Sequence, residues 1–169
     1  LLPIRLSAAE TVHLYLKANG NDIKGESTQT SLGRADSIEC TYYENNMESS
    51  EAKPAVAEGR NIKSAASNQR IIIRKRIDKA SPLIIKALSQ NQNLDATFKF
   101  FRPNPSGDGT TEQFYTVQFQ GGSVESIKQY VPDTIDPAKS HEPPMEEIVF
   151  TYSSITYTIT NGGVTAKTK

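Results

Sequence analysis

The sequence predicts a mainly β fold with one α-helix and one long loop. Apolar residues recur at every second position through most of the chain, the spacing at which alternate side chains reach one face of a strand. One segment, at about 81–90, instead combines helix-start signals with an apolar stripe. Residues 45–68 show no sustained period of either kind, which predicts an extended loop of unusual length.

The first strand is predicted around residues 12–16, where apolar residues alternate with His13 and Tyr15. The turn-rich sequence at 19–22 then predicts a hairpin. A half-buried strand follows at 38–43. Another is predicted at 70–77, and its two faces are formed by Ile71, Ile73 and Ile77 and by Arg70, Arg74 and Arg76.

Two further strands are predicted to pair as a hairpin. The first contains Phe98 and Phe100 and ends at Pro103, and the second covers 115–119 after the turn sequence SGDGTT. Residues 124–131 have a mixed pattern that would also suit a helical turn. Because their neighbours are strands, we predict a strand there.

The last strand region changes phase at Ser153 and Ser154. Ile148, Phe150 and Tyr152 share one parity, and the apolar residues after Ser154 have the other. A β-bulge inserts one residue and re-aims the face, so we predict one long bent strand at a barrel or sandwich corner. Two separate strands are the alternative.

The predicted helix has a recognisable start. Ser81 is a good N-cap residue and Pro82 suits the first helical position. Its apolar stripe consists of Leu83, Ile84, Ala87 and Leu88. We expect this stripe to cover the sheets, with Leu88 in the core.

Composition predicts one domain over residues 1–169, with an uncertain N-terminal extension at 1–10 and a flexible tail at 162–169. Nineteen Lys plus Arg balance nineteen Asp plus Glu, which gives no global electrostatic reason to bind nucleic acid or an anionic membrane. The first residues hold only a short apolar run, too short for a signal-peptide core or a membrane span. We therefore expect no nucleic-acid partner and no membrane insertion.

The sequence predicts no catalytic, cofactor-binding or metal-ligating residue, no cofactor and no enzymatic activity. His13 is expected to be a surface side chain, and Cys40, the single cysteine, to be buried. The most tempting metal cluster matches neither an EF-hand nor a zinc motif, and it consists of Asp133, Asp136, His141 and Glu142.

One basic cluster raises the possibility of an oligonucleotide-binding barrel, and it consists of Arg70, Arg74, Lys75, Arg76 and Lys79. The neutral charge balance speaks against that function. A solvated face or an interface is preferred, with the arginines meeting acidic side chains of a neighbouring subunit. The glycine pairs at 121–122 and 162–163 are predicted in turns, since no Walker arrangement follows them.

Six segments carry a resemblance to a known family. They are LYLKANG, KGES at 24–27, RIDKASPLIIKAL at 76–88, FKFFRPNPSGDGTTEQFYTV, YVPDTIDPAK and EEIVFTYSSITYT. Their order over residues 12–160 resembles the haemolysin-coregulated protein (Hcp) family of bacterial type VI secretion systems. None of these segments is a catalytic signature, but the ordered set is specific.

The resemblance implies a compact antiparallel β-barrel of two packed sheets, with one helix packed against it and an extended loop. It also implies a homo-hexameric ring, stacked rings forming a hollow tube, a contractile sheath, a VgrG-type spike and effectors carried in the lumen. The protein would be cytoplasmic before firing and then secreted without a cleaved signal peptide. We expect the loop at 45–68 to contact the next subunit or ring; a surface loop without a partner is the alternative.

Two other classes of function stay open. A monomeric β-sandwich module that binds sugar or lipid is the first, and a hydrolytic enzyme is the second. A sugar site would need aromatic platforms, but the chain has no Trp and most Tyr and Phe residues fall on strand faces assigned to the core. An enzyme would need a nucleophile with an identifiable base.

Overall fold

The computed structural model of the chain describes residues 10–48 and 69–168. These residues form ten strands and one helix, α1 (Ser81–Ser89), which lies between β5 and β6. The strands are β1 (Thr11–Ala18), β2 (Asn21–Ile23), β3 (Ile38–Cys40), β4 (Tyr42–Asn46), β5 (Arg70–Arg76), β6 (Leu94–Pro103), β7 (Thr111–Tyr130), β8 (Met145–Thr151), β9 (Ser154–Ile159) and β10 (Val164–Thr168). The prediction of a mainly β fold with a helix near 81–90 is confirmed.

All strand pairs are antiparallel, and β7 belongs to two sheets. In sheet A, the order is β1, β6, the first half of β7, β9 and β10, and both β2 and β3 pair with β1. In sheet B, the order is β4, β5, β8 and the second half of β7. Only Thr41 separates β3 from β4, so the chain passes there from the edge of sheet A to the edge of sheet B.

The bend of β7 lies at Gly121 and Gly122, which were predicted in a turn. This prediction is wrong, because both glycines lie inside the strand where it leaves sheet A for sheet B. Gly121 has a φ of +65°, and a Cβ on Gly122 would lie 2.7 Å from the Thr151 carbonyl oxygen. Glycine is therefore needed for a positive φ at one position and for a close backbone approach at the next.

The phase change near Ser153 marks two strands, so the predicted single bent strand is wrong and the alternative is correct. β8 pairs with the second half of β7 and β9 pairs with its first half. The hydroxyl of Ser153 lies 3.0 Å from the Gly121 carbonyl oxygen, to which it donates. A side-chain hydrogen bond thus holds the corner where the two strands separate.

The other predicted strands are present, some of them with different limits. The hairpin of β6 and β7 and the strand at 124–131 are confirmed, although the latter continues β7. Residues 38–43 divide into β3 and β4. Most of the predicted tail at 162–169 forms β10, whose residues are exposed on both faces and so show no apolar alternation.

The predicted long loop and the predicted N-terminal extension lie largely outside the described residues. The long loop was predicted at 45–68, but Asn45 and Asn46 extend β4. Its remainder from residue 49 onward lies outside the described residues. The N-terminal extension expected at 1–10 also lies outside them, except for Glu10.

The core lies between the two sheets. Its aromatic centre consists of Phe98, Phe119 and Phe150, whose ring centroids are 5.8–6.3 Å apart. Buried aliphatic residues from the inner faces of the strands surround it, and they include Leu14, Leu16, Ile38, Ile71, Ile73, Leu94, Val117, Ile148 and Ile155.

The inner face of β5 contains a charged residue, Lys75, that belongs to the predicted basic cluster. Lys75 follows Ile71 and Ile73 on this face and is only 1% exposed, whereas Ile77 lies beyond the strand and is exposed. The Lys75 Nζ lies 2.6 Å from Glu146 Oε1 and 2.7 Å from Asp78 Oδ1. A buried ammonium requires such partners, since an unpaired charge in the core would be strongly destabilising.

Lys75, Asp78, Ser81 and Glu146 form what we call the polar junction. The hydroxyl of Ser81 donates to Glu146 Oε1 at 2.7 Å and accepts the Asp78 N–H at 3.0 Å. Ser81 is therefore not the N-cap, a position that Ala80 occupies. The N-cap prediction is wrong because the Ser81 hydroxyl bonds to Glu146 and Asp78 and makes no capping hydrogen bond to the helix.

The polar junction also brings together two of the segments that resemble the Hcp family. Glu26, from the KGES segment, donates its N–H to Asp78 Oδ2 at 3.2 Å. In return, Glu26 Oε2 accepts the N–H of Lys79 at 2.9 Å. Segments 24–27 and 76–88 therefore lie against each other at the start of α1.

The buried face of α1 is narrower than predicted. Ile84 and Ala87 are buried, and the helix packs on β7. Leu83 and Leu88 lie on the two flanks of this face, and Leu88 is 36% exposed. The expectation that Leu88 lies in the core is therefore wrong, because the buried stripe is centred on Ile84.

Truncating the two helix positions should have different costs. Ile84→Ala should lower the free energy of unfolding by about 2–5 kcal/mol, because it leaves a cavity in the core. Leu88→Ala should cost about 1 kcal/mol, since its side chain is already in partial contact with water. Urea denaturation monitored by circular dichroism measures both values; equal costs would contradict the burial of Ile84.

Removing the buried ammonium should be strongly destabilising. We expect Lys75→Met to cost about 3–5 kcal/mol, because Glu146 and Asp78 would lose their counter-charge inside the protein. Arg74→Met is the matched control on the same strand, where the ion pair with Glu147 is solvent-exposed, and its loss should be much smaller. Thermal denaturation compares the two variants, and similar midpoints would refute this role of Lys75.

Candidate functional site

The residues considered for a metal site lie in the exposed connection between β7 and β8. Asp133 Oδ1 accepts the N–H of Ile135 and Asp136 Oδ1 accepts the N–H of Ala138, both at 2.9 Å. These carboxylates therefore stabilise local turns. Within residues 10–48 and 69–168, no group of three or more His, Cys, Asp or Glu side chains is arranged to hold a metal ion.

His13 is fully buried, so the prediction of a surface imidazole is wrong. Residues between β2 and β3 cover this part of β1, and nothing in the alternation of β1 indicates that cover. His13 Nδ1 lies 2.8 Å from the Ser37 Oγ. That hydroxyl donates to the Arg34 carbonyl oxygen at 2.7 Å and is itself buried, so this Ser–His contact offers no accessible nucleophile.

Cys40 lies on the inner face of β3, and its predicted burial is confirmed. Burial raises the pKa of its thiol to about 12. The thiolate, which is the nucleophilic and metal-binding form, is therefore disfavoured at neutral pH.

The basic cluster does not form a basic surface. On the outer face of sheet B, Arg70 Nε lies 2.6 Å from Glu125 Oε2 and Arg74 Nε lies 2.9 Å from Glu147 Oε2. Arg76 lies 3.6 Å from a Glu39 oxygen, and Lys75 is buried. The arginines thus meet acidic side chains of their own chain and remain about half exposed, which agrees with the predicted solvated face, while the alternative of an interface with a neighbouring subunit stays a prediction.

The outer face of sheet A is polar and contains a groove of about 380 Å³. Its lining includes Tyr15, Lys17, Asp95, Thr97, Gln118 and Gln120. Lys17 is paired with Asp22 at 3.8 Å, and the Lys99 ammonium lies 4.4 Å from the centroid of the Tyr15 ring. The groove therefore offers hydrogen-bonding groups of both charges, and a cation covers one face of its aromatic ring.

Sheet A ends in β10, whose five residues are all exposed. The register of β10 on β9 runs without a shift from Val164 to Thr168. Among the described strands, β9 is its only partner. A regular edge of this kind presents main-chain N–H and C=O groups that a strand of another chain could pair with.

Several exposed apolar side chains lie just before and within α1. Ile77, Leu83 and Ile85 are exposed there, and the Ile77 N–H donates to the Pro144 carbonyl oxygen at the end of the β7–β8 connection. In that connection Ile135 is 89% exposed. Across the described ranges, none of the helical structure is long and apolar enough to cross a membrane.

Comparison with known proteins agrees with this architecture. The family model for "Type VI secretion system effector, Hcp" matches residues 15–159. The major exported protein of Pseudomonas aeruginosa is 35% identical over 89 residues, which cover 52% of this chain and 51% of that protein. The match therefore spans about half the length of that relative.

Solved structures of Hcp proteins have the same fold. Hcp1 from E. coli EAEC 042, solved as a mutant, is 22% identical with a TM-score of 0.72, covering 95% of this chain and 98% of that one. The secreted protein Hcp3 from Pseudomonas aeruginosa is 19% identical with a TM-score of 0.72, covering 95% of this chain and 98% of that one. Hcp1 from Salmonella typhimurium is 17% identical with a TM-score of 0.65, covering 93% of this chain and 92% of that one. Because the family model covers most of the sequence, this chain belongs to the Hcp family of type VI secretion system proteins.

Proposed function

We propose that this chain is a non-enzymatic structural subunit of a type VI secretion tube. Six copies form a ring, rings stack into a hollow tube inside a contractile sheath, and the tube leaves the cell with a VgrG-type spike and with effectors in its lumen. The observation that carries the proposal is the family match over residues 15–159. The name of the Pseudomonas aeruginosa relative, major exported protein, supports export.

The edge of sheet A at β10, which has no second partner among the described strands, suggests how neighbouring subunits meet. Sheet A has different strands at its two sides, β10 on one and the short β2 on the other. A contact between two different surfaces of identical chains is heterologous, and it closes into a ring when the rotation between copies permits. We therefore place the lateral contact at β10 of one subunit and the β2 side of the next.

The charge distribution agrees with a contact of this kind. The arginines of sheet B have their partners within the chain, so they contribute little free charge to an interface. The outward groups of β10 are main-chain donors and acceptors, which need a partner strand to be satisfied away from water. Backbone pairing is thus the main contribution that this edge can make to assembly.

A monomeric binding module is the second candidate, and the groove on sheet A is the observation that favours it. The groove is lined in part by side chains that can form hydrogen bonds, as a sugar site would be. However, the Lys99 ammonium covers one face of the Tyr15 ring, which leaves only the other face for stacking on a sugar. This contact weakens the alternative relative to the tube subunit.

The mass in solution separates the two functions. The purified protein at micromolar concentration should give six times the 18.6 kDa of one chain by native mass spectrometry and by light scattering. The hexamer should persist across a range of salt, since the contact depends on backbone pairing. A monomer under all of these conditions would refute the proposed ring.

Proline substitutions in β10 test the lateral contact directly. Successive N–H groups of a strand point to opposite sides, so one of the two variants Thr165→Pro and Ala166→Pro removes a donor from the outer edge of β10. The variant that loses this outward donor should be a folded monomer with nearly unchanged thermal stability, because β10 is exposed throughout. Ala166→Thr keeps the backbone donor and should remain hexameric. Two proline variants that both assemble normally would exclude β10 from the interface.

A further inference from the structure

Residues 26–37, which we call the strap, connect β2 to β3 and cover part of the outer face of β1. The strap is held mainly by polar contacts. The Tyr15 hydroxyl donates to the Gly33 carbonyl oxygen at 2.9 Å, and the Thr28 N–H and hydroxyl both donate to the Glu39 carboxylate. Leu32, the single large apolar residue of the strap, is 57% exposed. Little apolar burial therefore opposes its release.

His13 of β1 lies beneath the strap with both ring nitrogens in contact. The Ser37 hydroxyl gives its hydrogen to the Arg34 carbonyl oxygen, so it accepts from His13 Nδ1–H. The other nitrogen, Nε2, lies 3.0 Å from the Thr11 Oγ1 and accepts from it. The contacts thus favour the neutral imidazole with its hydrogen on Nδ1.

A second proton on this ring would meet an unfavourable environment. The buried Arg34 guanidinium of the strap lies 4.7 Å from the Phe101 ring centroid, and the same ring packs edge-on against His13. Arg34 Nη1 is also 3.5 Å from the Thr11 Oγ1 that His13 contacts. An imidazolium would therefore place a second buried cation next to Arg34.

Other charges face this site from the neighbouring strands. Glu39 of β3 and Lys99 of β6 are the register partners of His13 on either side. Glu39 already accepts hydrogen bonds from Thr28 and lies near Arg76, and Lys99 is positioned over Tyr15. Burial, followed by Arg34, lowers the pKa of His13 to about 4, and Glu39 opposes the shift only in part.

We propose that the strap is an acid-released latch. Protonation of His13 removes the lone pair that accepts from Thr11, places a cation beside Arg34 and detaches residues 26–37 from β1. Release uncovers Phe101 and Tyr15 on sheet A while the core between the sheets stays intact. The latch does not rest on the ring that we propose for the protein, because all of its contacts lie within one chain.

The direction of the pH effect follows from the two pKa values. His13 titrates near 4 with the strap closed and near 6.5 when the ring is in water. Protons therefore bind the open state more tightly, so the closed state is fully favoured above pH 6.5 and is progressively lost as the pH falls towards 4. When His13 is protonated in both states, the equilibrium constant for strap opening is about 300-fold higher than at neutral pH.

Hydrogen exchange measured by mass spectrometry tests the latch. After correction for intrinsic exchange rates, protection of strap peptides should fall about 70-fold between pH 7.5 and pH 4.5. Peptides from the middle of β7 should keep their protection, which distinguishes strap release from global unfolding. Unchanged protection of the strap at pH 4.5 would overturn the proposal.

Two matched substitutions identify the titrating group. In His13→Asn the amide nitrogen replaces Nδ1 as donor to Ser37 but takes up no proton, so strap protection should become independent of pH. His141→Asn removes the other histidine, in the exposed β7–β8 connection, and should leave the wild-type pH dependence. If His13→Asn opened at the wild-type midpoint, carboxylates and not His13 would control the strap.

A measurement on the wild-type protein keeps the test valid if His13→Asn does not fold. The His13 ring can be titrated by NMR alongside strap amide signals. Both should change together below pH 6.5, and long-range ring couplings at neutral pH should show the hydrogen on Nδ1. An imidazole that titrates near 6.5 while the strap amides stay unchanged would overturn the latch.

Discussion

The ion pair between Lys75 and Glu146 constrains the structure at the point where β5, β8 and α1 meet. The two residues are direct register partners, and both side chains point into the core. A slip of one residue between β5 and β8 would turn one charge outward and leave the other buried alone, which is far more costly than a mismatch between apolar residues. The pair therefore specifies the register of sheet B. Through Ser81 and Asp78 it also fixes where the helix begins and where Glu26 is bound.

Much of sheet B could be derived from alternation, and the positions of its buried charges were present in the same pattern. Lys75 has the parity of Ile71 and Ile73, and Glu146 has the parity of Ile148 and Phe150. The sequence position of Lys75 alone does not indicate burial, because a lysine is normally solvated. The pairing of two inward charges on adjacent strands is a long-range property that a single strand does not reveal.

The other errors also arise from partners distant in sequence. His13 is buried because a separate segment covers it, and Ser81 is drawn away from capping by Glu146. The phase change at Ser153 fits either one bent strand or two separate strands, because in both cases the residues before and after Ser153 pair with β7. Local pattern thus located most of the strands and the helix, whereas the function of individual side chains depended on the tertiary contacts.

The arrangement of sheet A connects the two proposals about this protein. The strap begins three residues after β2 ends, and β2 is the side of the sheet that would receive β10 of the next subunit. Gly25, between β2 and the strap, donates its N–H to the Asp36 main-chain carbonyl oxygen at 3.0 Å. A Cβ on Gly25 would lie within 3 Å of Ser37 and Ile38 atoms, so this junction is tightly packed in the closed state. Detachment of residues 26–37 would therefore remove one of the contacts that hold the β2 side of sheet A in place. In that case acid would weaken the lateral contact through His13. A change of salt would instead act on the exposed arginine pairs of sheet B and leave the latch closed. Acid and salt should thus have different effects on the assembled ring.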